Sequence, residues 1–415
     1  MDLRVALRRT AMKRPAVFLV TWPGATGTRL GVEAELRRRG WPVMASPAAA
    51  DGLVVCGAPV PARARWLDDL ERSVPRPAVR VTVTEPGDAA RLLDDVRARL
   101  WAQPGTGTTP RPTRREPTPR GAHGPRTRPD GDGHEGHGGH DGHHGHDTHA
   151  MSEVAGLPLA ERADDRDGLR LDQLHVPLGP ALADWPAGLI LRCALQGDIV
   201  QRADAGHLPG TPHGAPFWPA PWLRAARGAH ITRGTAARRR CAAHLDSLGR
   251  LLAVVGWADP AARSRRLRDE VLAGPDPART TAELHRLAGR VGRSRPLRWL
   301  LTGLGPLPAA RARERGVTGP ALAADGDAYA RLHLWLTEIG RAVGDFDDTR
   351  PLAPGDMRGP RGDLDGDRPP SRALLDVLPE LLAGAEFWCA RVILASLDPD
   401  IDEVAATPAA GTAHV

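Results

Sequence analysis

Residues 102–150 cannot belong to a packed layer, and this divides the chain. From Gln103 to Gly133 the chain is Pro, Gly, Thr and Arg with almost no apolar side chain, and seven histidines follow within residues 134–149. Such a composition buries too little apolar surface to offset the entropy of ordering it. It therefore reads as a disordered linker between two globular parts, residues 1–101 and 151–405, with a flexible tail at 406–415.

The first part alternates two periodicities. Short apolar runs at 16–20, 51–57 and 78–83 have the length of buried strands, and segments 27–40, 62–74 and 87–101 have helical spacing. Gly40 supplies a helix stop. Strands alternating with helices predict a parallel sheet covered by helices. The second part opens with two strands, 172–179 and 188–201, the latter alternating around Leu189, Leu191, Cys193 and Leu195. Helices are predicted at about 235–256, 258–273, 278–302, 325–343 and 371–396, each followed by a Pro or Gly break. The acidic side chains Asp398, Asp400, Asp402 and Glu403 have no basic neighbours in sequence and are expected to form a surface cap.

Net charge is +6, but Lys13 is the only lysine, and Ala, Gly, Pro and Arg are inflated together. The arginine excess is thus a compositional bias, and no aromatic–basic interleaving suited to base stacking is present, so no nucleic-acid partner is expected. Cys56, Cys193, Cys241 and Cys389 stand alone, without a CxxC pair, which argues for reduced, structural thiols. The N-terminal stretch lacks the apolar core and cleavage site of a signal peptide, and no apolar run is long enough to span a bilayer. Gly24, Gly27 and Gly31 follow a strand as in a phosphate-cradling loop, but the Gly-Lys-Ser/Thr ending is missing and nucleotide binding stays a minority alternative.

Three groups of motifs carry a family resemblance. Ser46-Pro47, Ala50-Asp51, Val55-Cys56-Gly57 and Pro75-Arg76-Pro77 resemble the cluster-holding component of NADH-quinone oxidoreductase (complex I), which shares its fold with hydrogenase small subunits. Gly179-Pro180, Gly188-Leu189 and Leu195–Val200 resemble the N-terminal hairpin of the component that packs against it, which is related to hydrogenase large subunits. The segment 316–339 and the Ala-Ser-Leu-Asp-Pro ending of 390–404 resemble the later helices of that second component. The resemblance implies a flavodoxin-like α/β N-terminal domain with a parallel sheet, fused to a mainly α C-terminal domain with a small β element at its start. It also implies that the two domains pack on each other, as the two components of the enzyme pack around a quinone pocket.

The family's ligands are missing. The positions that hold its four-iron cluster read "TWPGATG" and "TEPGD", without cysteine, and the hairpin loop "GPALADWPAG" has no histidine. The only tyrosine, Tyr329, matches a helix position of the family. No iron–sulfur cluster or other resident cofactor is expected. The leading expectation is a non-catalytic accessory or scaffold subunit of a complex-I-like assembly, cytoplasmic and peripheral on the inner face of the cell membrane, with membrane subunits as partners. One alternative is a redox-active NADH-quinone oxidoreductase subunit whose degenerate quinone positions are Asp184, Trp185 and His175. Another is a metallochaperone in which His134, His137, His140, His143, His144, His146 and His149 bind Ni²⁺ or Zn²⁺ weakly, a chemistry imidazole favours.

Overall fold

The computed structural model describes residues 13–102, 170–211, 215–274 and 277–406, with short strand segments between 153 and 164. The predicted linker, with its histidine tract, and most of the predicted tail lie outside the described residues.

The N-terminal layer runs β1 (Val17–Thr21), α1 (Thr26–Arg39), β2 (Gly52–Cys56), α2 (Trp66–Arg72), β3 (Val79–Val83) and α3 (Ala89–Ala102). The strands are parallel in the order β1-β2-β3, with Val17 opposite Gly52 and Gly52 opposite Val79. Every residue of β2 is buried, which is why its sequence is a continuous apolar run rather than an alternation. A single parallel bridge from Val17 to Val43 adds a vestigial strand outside β1. The spatial order is then Val43, β1, β2, β3, so successive parallel strands are added first on one side of β1 and then on the other, as in flavodoxin-like sheets. Val32 and Leu36 of α1 and Leu93 and Val96 of α3 cover one face of the sheet. Leu67 of α2 and Leu208 from the second half of the chain cover the other. Gly40 ends α1 in the left-handed conformation (φ 65°) that its sequence position predicts.

Beyond residue 150, β4 (Glu153–Val154) and β5 (Leu157–Pro158) pair as a small antiparallel hairpin. A four-stranded sheet follows: β6 (Glu161–Asp164), β7 (Arg170–Leu178), β8 (Leu189–Gln196) and β9 (Ile199–His207), in sequence order. The predicted strand 188–201 is thus the first strand of a hairpin plus the start of its second. The two-residue turn Gly197-Asp198 divides them, with Gly197 at φ 60°. Leu189, Leu191, Cys193 and Leu195 do face one core, as their alternation predicts.

The helical body comprises α4 (Ala220–Ala226), α5 (Arg233–Val254), α6 (Ala258–Ala273), α7 (Pro277–Gly292), α8 (Arg295–Leu301), α9 (Ala309–Glu314), α10 (Gly319–Ala323), α11 (Ala328–Gly344), α12 (Pro370–Leu382), α13 (Phe387–Leu397) and α14 (Ile401–Ala405). Two predicted helices are each two. The break inside 278–302 comes from Ser294, whose hydroxyl accepts from Leu297 N–H (3.3 Å) and caps α8. The break inside 371–396 comes from long-range pairing. Gly384 N–H donates to Val200 O (2.8 Å), Val200 N–H to Ala385 O (2.9 Å) and Phe387 N–H to Asp198 O (2.7 Å), so the segment between α12 and α13 joins the edge of β9. No local pattern encodes that partner.

The α/β layer and the helical body belong to one compact unit. Leu30, on the outer side of α1, is 6% exposed and packs into the core built around α5, α6 and α11. On the opposite face, Ile190 and Ala181 of the hairpin region pack against the sheet core. No helix among the described residues is long and apolar enough to cross a membrane.

These shared cores predict that covalent continuity is dispensable. Limited trypsin should cleave after Arg120 or Arg126, and the fragment ending there should co-elute with the C-terminal fragment on size exclusion. Elution as two separate species would show that the apolar contacts do not hold the halves together.

Candidate functional site: the cleft between the layer and the helical body

A cavity of about 900 Å³ opens where β1 and α1 meet the 180–187 loop and α6. That volume lies in the range of small-molecule sites. Its lining includes Phe18 and Trp41 from the layer, Leu182 and Trp185 from the loop, and Arg263 and Arg266 from α6. Val43 and Leu182 are exposed apolar side chains of this lining.

The loop enters through Gly179 and leaves through Gly188, and neither position tolerates a side chain. A Cβ at Gly188 (φ 71°) would sit 2.4 Å from Pro23 Cγ, and one at Gly179 (φ 89°) 2.1 Å from Leu189 O. The first marks a close approach of the hairpin to the N-terminal layer and explains the glycine in the Gly188-Leu189 motif. Trp185 is buried, and its Nε1 donates to Leu189 O (2.8 Å), which staples the loop shut. Asp184 adopts φ 58° and pairs with Arg265 of α6. Asp184 and Trp185 therefore line the cleft. His175 does not. It is exposed on β7, opposite Ala194, in a separate hollow with Arg192 and Arg202.

Four helical side chains that no sequence motif singles out form the floor. Arg29 and Glu33 lie one turn apart on α1; Asp246 and Arg250 lie one turn apart on α5. Arg29 makes a two-pronged contact with Asp246 (3.2 and 2.8 Å) and also donates to Glu33 (2.9 Å). Arg268 of α6, fully buried, donates to Asp246 (2.6 Å) and Glu33 (2.8 Å). Arg250 reaches Asp246 (3.3 Å) and pairs with Asp398, which also accepts from Arg361 (2.5 Å). Burial pushes the Glu33 carboxyl up, but Arg29 and Arg268 outweigh it and hold it at about 2. Asp246 is likewise driven well below its usual range, because Arg29, Arg268 and Arg250 overcome the cost of its burial. The sequence shows the two i,i+4 charge pairs, but they look like ordinary solvated helix pairs.

The acidic tail is not a surface cap. Asp398, Asp400, Asp402 and Glu403 are all buried, Asp398 completely. Asp402 Oδ1 accepts from Gly24 N–H (2.6 Å) and Oδ2 from Thr26 N–H (3.3 Å). The start of α1, at the carboxyl end of β1 beside the strand-order reversal, is where such folds receive anions. Here the chain fills that position with its own Asp402, whose carboxyl is raised by burial against the pull of the Gly24 and Thr26 N–H donors, and Gly24 of the 21–31 loop is one of its partners. Ser371 fixes the rest, donating its hydroxyl to Glu403 (2.6 Å) and accepting from Asp400 N–H (2.9 Å). Burial raises the Asp400 carboxyl, with Asp402 and Glu403 adding to it, and raises Glu403 to about 7. The misreading arose because the partners Gly24, Arg250 and Arg361 are distant in sequence.

All four cysteines are buried, and burial raises the thiols of Cys56 and Cys241 well above their ordinary range. They are poor thiolates. Among the described residues, no three His, Cys, Asp or Glu side chains converge as a metal site would require.

The buried charges set two expected outcomes. Asp246→Asn leaves buried arginines without their counter-charge and should destabilise the protein by about 3–5 kcal/mol in urea denaturation. A loss under about 1 kcal/mol would mean the network is solvent-screened. Glu403 has a folded value of about 7 against an ordinary 4.5, so it contributes stability that is present below 4.5 and lost as pH rises through 7. Glu403→Gln should therefore flatten the fall in Tm over that window; an unchanged profile would remove Glu403 as its source.

No protein-family model matches the chain, and no curated protein matches it. Among solved structures, the chain is similar to one chain of the membrane-bound sulfane sulfur reductase (MBS), an archaeal respiratory membrane complex. The identity is 18%, the match covers 56% of this chain and 98% of that chain, and the TM-score is 0.41.

Proposed function

We propose that the chain is a non-catalytic accessory or scaffold subunit of a complex-I-like membrane-associated assembly, in which both partner layers of the family are carried on one polypeptide. The observation that carries this reading is the closure of the cleft floor by the chain's own charges. Asp246 and Glu33 are satisfied by arginines, and the helix N-terminus is filled by Asp402. The Trp185 indole is committed to Leu189 O. A redox site needs thiolates converging on a cluster and donors aimed at an acceptor. The residues at those places serve packing instead. Partners are then membrane subunits, and the site of action is the inner face of the cell membrane.

One observation favours a second reading, that of a quinone-binding subunit. The cleft joins an apolar mouth at Val43 and Leu182 to a charged floor, which suits an amphipathic ligand. In that reading Asp184 and Trp185 are the contacts, without His175. Weak Ni²⁺ or Zn²⁺ binding by the histidine tract remains a separate proposal, tested by calorimetry on the full chain and on a 130–150 deletion.

Iron and labile-sulfide analysis of the purified chain should give substoichiometric values, and titration with a quinone analogue should leave Trp fluorescence unchanged. Four irons per chain would overturn the scaffold reading. Saturable quenching lost in Trp185→Phe would replace it with the quinone-binding one.

A further inference from the structure

A second cavity, of about 440 Å³, lies away from the cleft, between α5, α11 and the 358–363 loop. Arg240 and His244, one turn apart on α5, line its inner wall. His244 is fully buried, and neither ring nitrogen has a hydrogen-bond partner among the described residues. A buried imidazole left in that state bears the cost of desolvation without a compensating hydrogen bond. Burial, with Arg361 and Arg240 adding to it, pushes its protonation well below the ordinary imidazole range. The ring is thus neutral, with one donor and one acceptor to offer.

Arg240 is half-buried. It lies 5.1 Å over the Trp222 ring and donates to Arg358 O (2.6 Å), but among the described residues no carboxylate pairs with it. A nearby buried guanidinium, Arg361, uses Nη2 on Asp398 and leaves Nε and Nη1 unpartnered. Glu338, Asp345 and Asp356 act on Arg240 through space without pairing with it. Glu338 is paired with Arg341 (2.7 Å), while Asp345 and Asp363 are exposed, where solvent screens them. The inner wall therefore carries a guanidinium with no directly paired carboxylate beside an unsatisfied neutral donor–acceptor pair. Water can satisfy the imidazole but leaves the charge; an anion with a hydroxyl settles both.

We propose that this cavity binds a small hydroxylated organic anion, with its carboxylate or phosphate on Arg240 and its hydroxyl on His244. The volume falls within the range of small-molecule sites, and the site is independent of the cleft and of the function proposed for it.

The test is calorimetric titration of the full chain at low ionic strength with L-malate, succinate, glycerol 3-phosphate and propyl phosphate. Saturable binding is expected for malate or glycerol phosphate, about tenfold tighter than for the partner lacking the hydroxyl. The stronger of the two identifies the anionic group. Arg240→Gln should weaken binding about tenfold or more, and His244→Leu should erase the preference for the hydroxylated ligand. Should His244→Leu fail to fold by circular dichroism, the ring nitrogens of His244 in the unsubstituted protein should shift in nitrogen-15 NMR on adding the better ligand. No saturable binding, equal affinity with and without the hydroxyl, binding unaffected by Arg240→Gln, or no imidazole shift would each overturn the proposal.

Discussion

Asp246 is the point on which the two halves of the molecule meet. Three arginines from three helices converge on this carboxylate, one of them from the α/β layer. The same arginines bind Glu33 and Asp398, so no charge in the group is left alone in a medium that would penalise it. A network of this kind adds little net stability over an apolar contact of the same shape. What it adds is register. Apolar cores tolerate sliding, whereas a carboxylate surrounded by fixed guanidiniums has one arrangement in which every group is paired.

The register explains how the cleft keeps its shape. α1 is clamped by its charges to α5 and α6, and Leu30 packs into the same helical core. The hairpin is pressed against Pro23 at a glycine that admits no side chain. These contacts define a walled space between layer and body without demanding any residue that takes part in electron transfer.

Much of the architecture was legible. The periods of the apolar residues located β1 to β3 and α1 to α3 to within a few residues, because each is buried along a simple stripe or run. The inward alternation of Leu189 through Leu195 was equally readable. What failed shares one property. The break between α12 and α13 depends on pairing with Val200, and the burial of Asp398, Asp400, Asp402 and Glu403 depends on Gly24, Arg250 and Arg361. Those acids looked like a solvated tail because their partners are brought near only by the fold. Among the candidate site residues, Asp184 and Trp185 share a short loop and stayed together. His175 sits across the hairpin on an exposed strand, a placement that β7 decides.

Asp402 carries a consequence for the order in which the molecule can be completed. Its carboxylate closes the start of α1, yet it stands more than three hundred residues later in the chain. During synthesis, the α/β layer emerges before α14 and must wait with two backbone N–H groups facing water until Asp402 leaves the ribosome. The sheet and its helices can assemble in the interval, but the turn at Gly24 acquires its final partner only once Asp402 has been made. A segment made late seals one made early.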